Sequence, residues 1–153
     1  MRTCGASPTG GKGLAPLAGV PGLQRLRLDA EDLTDRHLEV LNAQTGLQEL
    51  AIDRARITNQ GLGQLNLPAL RSLSLGGCTQ IDDSGLANLK GLPELQELNL
   101  SDSGVSGKDL TGLASMPKLK RVTLSGEQFQ GNDASLAAIK KLLPDVVIEI
   151  LRG

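Results

Sequence analysis

The sequence has almost no aromatic residues. Trp and Tyr are absent, and Phe129 is the single Phe among 153 residues. The core must therefore be filled by aliphatic side chains, of which Leu is by far the most frequent. A core built from one repeated aliphatic residue is typical of a solenoid. The length is that of one domain, which is enough to bury a sizeable core.

An excess of charge of either sign is also missing. Lys and Arg together number 16 and Asp and Glu number 17, and no long run of one sign occurs. Binding driven by nucleic-acid phosphates or by an anionic membrane surface is disfavoured by this balance. We therefore expect neither nucleic acid nor membrane among the partners.

Long apolar runs are lacking as well. The apolar stretches are only a few residues long, whereas a transmembrane helix needs about 20. The first twelve residues, MRTCGASPTGGK, contain no apolar segment of the kind found in secretory signals. The sequence thus favours a cytoplasmic location.

Residues for catalysis or metal binding are scarce. Cys4 and Cys78 are too few for a disulfide scaffold and lack metal-ligand spacing. His37, the only histidine, lies in a predicted helix with no Ser or Cys nucleophile in register beside it, which favours an exposed helix residue. We predict no enzyme activity, no catalytic residue and no metal site.

One segment is close to a phosphate-binding loop. The stretch ASPTGGKG, from Ala6 to Gly13, departs from the motif because Gly13 stands where a magnesium-binding hydroxyl is required. No apolar strand precedes it, and its register makes it a repeat turn. Nucleotide binding is therefore disfavoured, and no cofactor is expected.

The chain does contain an internal repeat of roughly 24 residues, present in about five and a half copies. The motif Leu-x-x-Leu-x-Leu recurs with steps of 24, 23, 25 and 24 residues. Its copies are LQRLRL from Leu23, LQELAI from Leu47, LRSLSL from Leu70, LQELNL from Leu95 and LKRVTL from Leu119. Three further apolar rows follow each copy, namely Leu33, Ile57, Ile81, Val105 and Phe129; Leu38, Leu62, Leu86, Leu110 and Leu136; and Leu41, Leu65, Leu89, Leu113 and Ile139.

Each part of the repeat predicts a local structure. The alternation of the Leu-x-Leu segment is strand periodicity, with two leucines inward and the residues between them outward. A residue suited to a helix N-cap then precedes a segment with helical spacing. The predicted N-caps are Thr34, Thr58, Asp82 and Ser106, and most units close with a proline that cannot continue the helix, at Pro21, Pro68, Pro93, Pro117 and Pro144.

Stacking such units gives an α/β solenoid. Crossovers between parallel strands are right-handed, so we expect a right-handed coil with a parallel sheet on one side and short helices on the other. Because helices are wider than strands, the stack is expected to curve like a horseshoe, with the sheet concave and the helices convex. The polar residues between the strand leucines predict that the concave sheet face is open to water.

These repeats resemble the leucine-rich repeats of the ribonuclease-inhibitor-like class. The segment LRSLSLGGCTQIDDSGL, from Leu70 to Leu86, is similar to the cysteine-containing repeat of F-box substrate receptors, LxxLxLxxCxxITDxGL. The segments LQRLRLDAEDLTDRHL and LQELAIDRARITNQGL look more like bacterial repeats common in planctomycete proteins. The resemblance covers Gly13 to about Ile150 and implies a leucine-rich-repeat fold, but the family binds unrelated partners. No F-box fits before Leu14, which argues against a ubiquitin-ligase role.

The repeats define the predicted domain organisation. Residues 1–12 are predicted to be a flexible or degenerate segment, and residues 13–153 the leucine-rich-repeat domain. Within it, residues 13–22 form a half repeat, full repeats start at residues 23, 47, 70, 95 and 119, and a last strand covers about 146–150 with Val147 or a neighbour in the leucine register. The poor N-terminal cap leaves three alternatives: upstream repeats, a covering partner, or residues 1–12 as loose coil over that end.

The resemblance also bears on the cysteines. Cys78 stands at the turn position where this repeat class places a small buried residue that bonds neighbouring backbone, which implies a structural role. Cys4 lies in a Gly-rich stretch where its thiol is expected to be accessible.

The concave sheet face is the predicted binding site. Its outward residues form three rows across the strands: Arg25, Glu49, Ser72, Glu97 and Arg121; Arg27, Ala51, Ser74, Asn99 and Thr123; and Asp29, Asp53, Gly76, Ser101 and Ser125. We predict that a protein partner binds the polar members of the first two rows, with Arg25, Arg27 and Arg121 as anchors. The alternative is that the charges neutralise one another across strands, Arg25 with Glu49 and Glu97 with Arg121.

Two functional hypotheses follow. The first is a non-catalytic protein-interaction module that uses the concave face. The second is a structural spacer, or a fragment of a longer leucine-rich-repeat protein such as a substrate-receptor-like subunit, with no binding site of its own.

Overall fold

The computed structural model describes residues 3–6, 14, 20–29, 31–127 and 133–151. The strands are β1 (Thr3–Ala6), β2 (Arg25–Asp29), β3 (Glu49–Asp53), β4 (Ser72–Ser74), β5 (Glu97–Asn99), β6 (Arg121–Ser125) and β7 (Val147–Leu151). Helical segments between them are α1 (Asp35–Leu41), α2 (Asn59–Gln64), a first 3-10 helix (Asp83–Gly91), a second 3-10 helix (Thr111–Ser115) and α3 (Asp133–Leu142).

The strands form one sheet in which every neighbouring pair is parallel and the spatial order is the order of the chain. One strand and one helical segment per repeat is the predicted architecture, and the structure confirms the predicted fold class. The leucine register is regular, so equivalent inward residues lie side by side: Leu26, Leu50, Leu73, Leu98, Val122 and Ile148.

The core is a continuous aliphatic column between the sheet and the helical segments. The inward strand residues of β2 to β6 are at most 2 % exposed. Buried turn residues complete this core, namely Leu33, Ile57, Ile81 and Val105 of the first predicted apolar row after the strand motif. Leu136 is only half-buried, and Phe129 lies outside the described residues.

The N-terminal segment holds a strand that the leucine pattern does not indicate. Residues 1–12 are predicted to be flexible or degenerate, but Thr3–Ala6 pairs with β2, with Thr3 opposite Arg25. Parallel pairing uses backbone N–H and C=O groups and needs no leucine, so the repeat motif cannot detect this strand. Within the predicted half repeat 13–22, Leu14 is buried. The segment that resembles a phosphate-binding loop lies almost entirely outside the described residues.

The last strand is shifted by one residue from its prediction. It spans Val147–Leu151 instead of about 146–150. Ile148 and Ile150 pair with Val122 and Leu124 and thus occupy the leucine register. Val147 belongs to the outward set, because side chains alternate between the two faces of a strand.

Side chains at the helix N-termini connect each repeat to the next one. The Asp35 carboxylate accepts hydrogen bonds from the backbone N–H of Thr58 at 2.8 Å and from its hydroxyl at 2.6 Å. One repeat later, Asn59 accepts from the backbone N–H of Asp82 at 3.1 Å and donates to its carboxylate at 2.8 Å. We call this series of contacts the N-cap ladder, because each contact holds the residue predicted as the N-cap of the following repeat.

The third contact of the N-cap ladder runs from Asp83 to Ser106. The Asp83 carboxylate accepts from the Ser106 backbone at 3.0 Å and from its hydroxyl at 2.6 Å, and also from the Gly107 backbone at 3.1 Å. Three bonds to one carboxylate are a strong connection, since hydrogen bonds to charged groups stabilise more than neutral ones.

Two glycines make room for the N-cap ladder. A Cβ atom at Gly61 would overlap the Asp35 carboxylate, and one at Gly85 would overlap the Asn59 side chain. Both glycines are the third residue of their helical segment. The small residue at this point of the repeat is therefore required by the side chain of the preceding repeat.

The prediction of helix N-caps is right at three positions and wrong at the fourth. Thr34, Thr58 and Asp82 each precede a helical segment, but the helix after Ser106 begins only at Thr111. Asp109 stands where Gly61 and Gly85 stand in their repeats, so a helix starting at Ser106 would direct a side chain at Asp83. The chain instead passes through Gly107 with a φ of 73°.

In the part of the chain that the structure describes, no helix is both long and apolar enough to cross a membrane.

Candidate functional site

The side of the sheet that points away from the core is not covered by any described helix. We call the outward side chains of β2 to β7 the open sheet face. It contains all nine predicted partner-binding residues, which the parallel register brings into two rows. Arg27, Glu49, Glu97 and Arg121 are exposed, whereas Arg25, Ser72, Ser74, Asn99 and Thr123 are half-buried.

The first predicted charge pair is present. Arg25 Nε lies 2.9 Å from Glu49 Oε1, and the two residues are direct partners in the β2–β3 register. Both side chains are nearly half exposed, so the pair contributes little to stability. Its effect on the surface is larger, because it neutralises one of the three predicted anchors.

The second predicted pair is replaced by another one. Arg121 is opposite Glu97 in the register, but its guanidinium Nη1 lies 3.6 Å from Glu149 Oε1 on β7. Arg121 has carboxylates on both neighbouring strands and is turned toward the later one. The prediction omitted Glu149 because the outward residues of the last strand depend on where that strand starts.

A third ion pair was not predicted. Arg54, in the turn after β3, donates from its Nε to Asp29 Oδ1 at 2.9 Å. The hydrogen bond and the charge of Asp29 raise the pKa of Arg54. Arg54 has a φ of 58°, and this left-handed turn conformation, which directs its side chain back over β2, is not visible in the repeat pattern.

Neutral side chains in the middle of the open sheet face are hydrogen-bonded to one another. The Ser74 hydroxyl donates to Asp53 Oδ1 at 2.9 Å and accepts from Asn99 Nδ2 at 3.2 Å. Asn99 Oδ1 accepts from the backbone of Ser101 at 3.0 Å. The Asp53 carboxylate is therefore hydrogen-bonded to a side chain of the neighbouring strand. These residues form a polar strip of short side chains.

Four of the nine predicted residues make no polar side-chain contact within the described ranges. These are Arg27, Ser72, Glu97 and Thr123. The two charged ones are exposed and the two hydroxyls are half-buried. We call these four side chains the uncommitted groups of the open sheet face, because they make no polar side-chain contact within the described ranges.

Two shallow concavities lie on or beside the open sheet face. One, of about 230 Å³, contains six of the predicted residues and is lined by Ser72, Leu73, Ser74, Glu97, Leu98, Asn99, Arg121, Thr123 and Glu149. The other, of about 650 Å³, lies where β5 to β7 begin and includes Glu97, Arg121 and Val147. Val147 is 54 % exposed and gives this end of the face an apolar group.

Cys78 and His37 both have structural contacts. The Cys78 thiol is fully buried and donates to the Ile52 carbonyl of the preceding repeat at 3.3 Å. Burial raises its pKa to about 11, so the reactive thiolate is disfavoured at neutral pH. His37 accepts the Thr34 backbone N–H at its Nδ1 at 3.0 Å, a contact that helps to cap α1. Among the described residues, no three His, Cys, Asp or Glu side chains are grouped so that they could hold a metal ion.

No family model matches the sequence, and no curated protein matches it. Among solved structures, 45 chains match. A chain from the yeast Rad7 and Elc1 complex matches with a TM-score of 0.58 and 16 % identity, over 90 % of this chain and 46 % of that one. A chain of the TLR13–ssRNA13 complex matches with a TM-score of 0.42 and 16 % identity, over 99 % of this chain and 28 % of that one.

This chain spans less than half the length of either solved chain. At 16 % identity, the match to the chain of the Rad7 and Elc1 complex bears on the fold alone. Together with the repeated strand and helical segments, it identifies an α/β leucine-rich-repeat solenoid.

Proposed function

We propose that this chain is a non-catalytic protein-interaction module that binds a protein partner through the open sheet face. The observation that carries the proposal is the open sheet face itself. Parallel sheets are ordinarily covered on both sides, yet here β2 to β6 present polar outward residues that are exposed or half-buried. Such a face is available for contact with another molecule.

The uncommitted groups support a binding role for this surface. Arg27 and Glu97 are exposed and unpaired within the described residues, and they lie on strands held rigidly by the buried leucines. Interaction sites on rigid elements lose little conformational freedom on binding. A solved chain that shares part of this fold comes from a complex with a second protein, which is compatible with the proposal.

The second candidate is a structural spacer or a fragment of a longer repeat protein. It is favoured by the internal pairing of Arg25 with Glu49, Arg121 with Glu149 and Arg54 with Asp29. Charges that neutralise each other across strands form a solvated surface without requiring a partner.

Charge reversal on each side of the solenoid distinguishes the two candidates. The test variant carries Arg25→Glu and Arg121→Glu on the open sheet face. The matched control carries Arg36→Glu and Lys90→Glu, two exposed positions in helical segments on the other side. Both variants change the net charge equally.

For an interaction module, the partner captured from cell lysate by the wild-type chain is lost with the open-face variant and kept with the control. Circular dichroism confirms that both variants remain folded. Equal capture by both variants would support the spacer.

A further inference from the structure

The uncommitted charges of the open sheet face have opposite signs and lie on different strands. Arg27 is on β2 and Glu97 is on β5, and β3 and β4 lie between them. Glu97 is in register with Arg25 and not with Arg27. The two side chains are therefore separated by three strand steps of about 4.8 Å and by two residues of about 3.3 Å along the strands, which places them about 16 Å apart. The surface therefore presents one free positive group and one free negative group at a defined distance.

Arg27 is free because its neighbours cannot neutralise it. In the sheet register it is flanked by Gly5 on β1 and Ala51 on β3, which carry no charged group. The nearby carboxylates are already engaged, Glu49 by Arg25, Asp29 by Arg54 and Asp53 by the Ser74 hydroxyl. Its guanidinium is thus available to a carboxylate supplied from outside.

Glu97 is free for a comparable reason. Its register neighbours are Ser72 and Arg121, and Arg121 is directed to Glu149 on the far side. Ser72 makes no polar side-chain contact in the described part of the chain. The Glu97 carboxylate is therefore available to a cationic group.

The surface between these charges is low and polar. Ser74 and Asn99 are short, half-buried side chains whose hydrogen-bonding groups are satisfied by each other and by Asp53. A polypeptide can cross this strip without displacing a long side chain or leaving a buried polar group unpaired.

We propose that the partner of the open sheet face presents an acidic and a basic side chain about 16 Å apart, with the acid on Arg27 and the base on Glu97. This rests on the proposed function. In an extended segment at about 3.3 Å per residue, 16 Å lies between the lengths of four and six residue steps, about 13 and 20 Å. Residues four or six apart in an extended chain point to the same side, and the long charged side chains span the remaining difference, so one segment contacts both charges.

The test is a selection of displayed 12-residue random peptides on the folded full chain. Wild type is expected to enrich peptides with one acidic and one basic residue four or six positions apart, in either order. Arg27→Glu is expected to enrich pairs of two basic residues at those spacings, and Glu97→Lys pairs of two acidic residues. The control Arg36→Glu, on the helical side, is expected to enrich the same peptides as wild type.

The affinity of one synthetic wild-type-selected peptide gives a second readout. We expect Arg27→Glu and Glu97→Lys each to weaken it by about tenfold or more in low-salt buffer, as measured by fluorescence anisotropy. Absence of enrichment, or the same enriched peptides for all variants, would overturn the inference.

The proposed function has a separate outcome in the same selection. Apolar peptides that bind the open sheet face, located by amide chemical shifts on β2 to β6, would refute the charge pattern while leaving the interaction module in place. Loss of both this binding and the lysate capture would refute the two proposals together.

Discussion

At the scale of single residues, Cys78 shows how one side chain connects two turns of the solenoid. Its thiol donates to the Ile52 carbonyl, which belongs to the preceding repeat. The small side chain fits beside Ala55, another fully buried small residue. The position therefore suits a small side chain with a weak donor, and burial suppresses the reactivity of the thiol.

We predict that the Cys78 thiol does not react in the folded chain. Because burial raises its pKa from 9.0 to about 11, the neutral thiol is the form that the folded state favours. This stabilisation is complete below the unfolded pKa and is lost as the pH rises from about 9 toward about 11. In a Cys4→Ser background, a colorimetric disulfide reagent should label Cys78 at pH 8 only on addition of denaturant.

Rapid labelling of Cys78 at pH 8 without denaturant would contradict this assignment. The denatured sample serves as the control, since it shows the rate of the same thiol when its pKa is unperturbed. A Cys78→Ala variant reports any background reaction.

At the scale of elements, the N-cap ladder links the helical segments more directly than apolar packing does. Asp35, Asn59 and Asp83 each hold the predicted N-cap residue of the next repeat by side-chain hydrogen bonds. These contacts fix the spacing of successive helical segments at one edge, while the leucines fill the space beneath them. The ladder therefore contributes to register between repeats.

We predict that Asp83→Ala lowers the free energy of unfolding by about 2 kcal/mol, because it removes three hydrogen bonds to a carboxylate and leaves Ser106 and Gly107 without their acceptor. Urea denaturation followed by circular dichroism measures the change. The matched control is Asp109→Ala, since Asp109 contacts only Thr111 of its own repeat through its side chain.

Asp109→Ala is expected to lower the free energy of unfolding clearly less than Asp83→Ala does. An equal decrease in the two variants would show that hydrogen bonds between repeats stabilise the chain no more than hydrogen bonds within one repeat.

The sequence predicts those elements whose structure is determined by the spacing of apolar residues. Strand positions and the buried rows follow from the spacing of leucines, as at Leu73 and Leu98. The start of the helical segment after Ser106 could not be predicted, because it depends on Asp83 in the preceding repeat and on the missing glycine at Asp109. β1 was missed because backbone pairing alone places it in the sheet.

At the scale of the whole molecule, each coil contacts only its neighbours. The position of a destabilising substitution therefore determines how much of the chain it unfolds. Leu73 is 1 % exposed in β4, the middle strand, with repeats on both sides. Ile148 occupies the equivalent place in β7, where the described sheet ends, and it is half-buried.

We predict that Leu73→Asp unfolds the chain, because a carboxylate at this site is buried without a partner. Ile148→Asp is expected to disturb only the last coil and to keep most of the circular dichroism signal and a cooperative urea transition. A folded Leu73→Asp chain would contradict the assigned core.

The candidate site could be predicted in part at this scale. The rows of the open sheet face follow from the alternation of side chains in strands, and the Arg25–Glu49 pair follows from the rows. The partner of Arg121 could not be predicted, because it depends on the exact first residue of β7. The Arg54–Asp29 pair depends on a turn conformation that the repeat pattern does not encode.

The glycine beneath the first two contacts of the N-cap ladder sets a rule for lengthening the protein. The unit from Leu47 both supplies a side chain, from Asn59, and accepts one, above Gly61. Tandem copies of this unit are mutually compatible and can be inserted in series. The unit from Leu23 has His37 at the accepting position, so it cannot follow a unit that supplies a side chain there. The sequence thus distinguishes a unit that can be repeated in series from one that cannot.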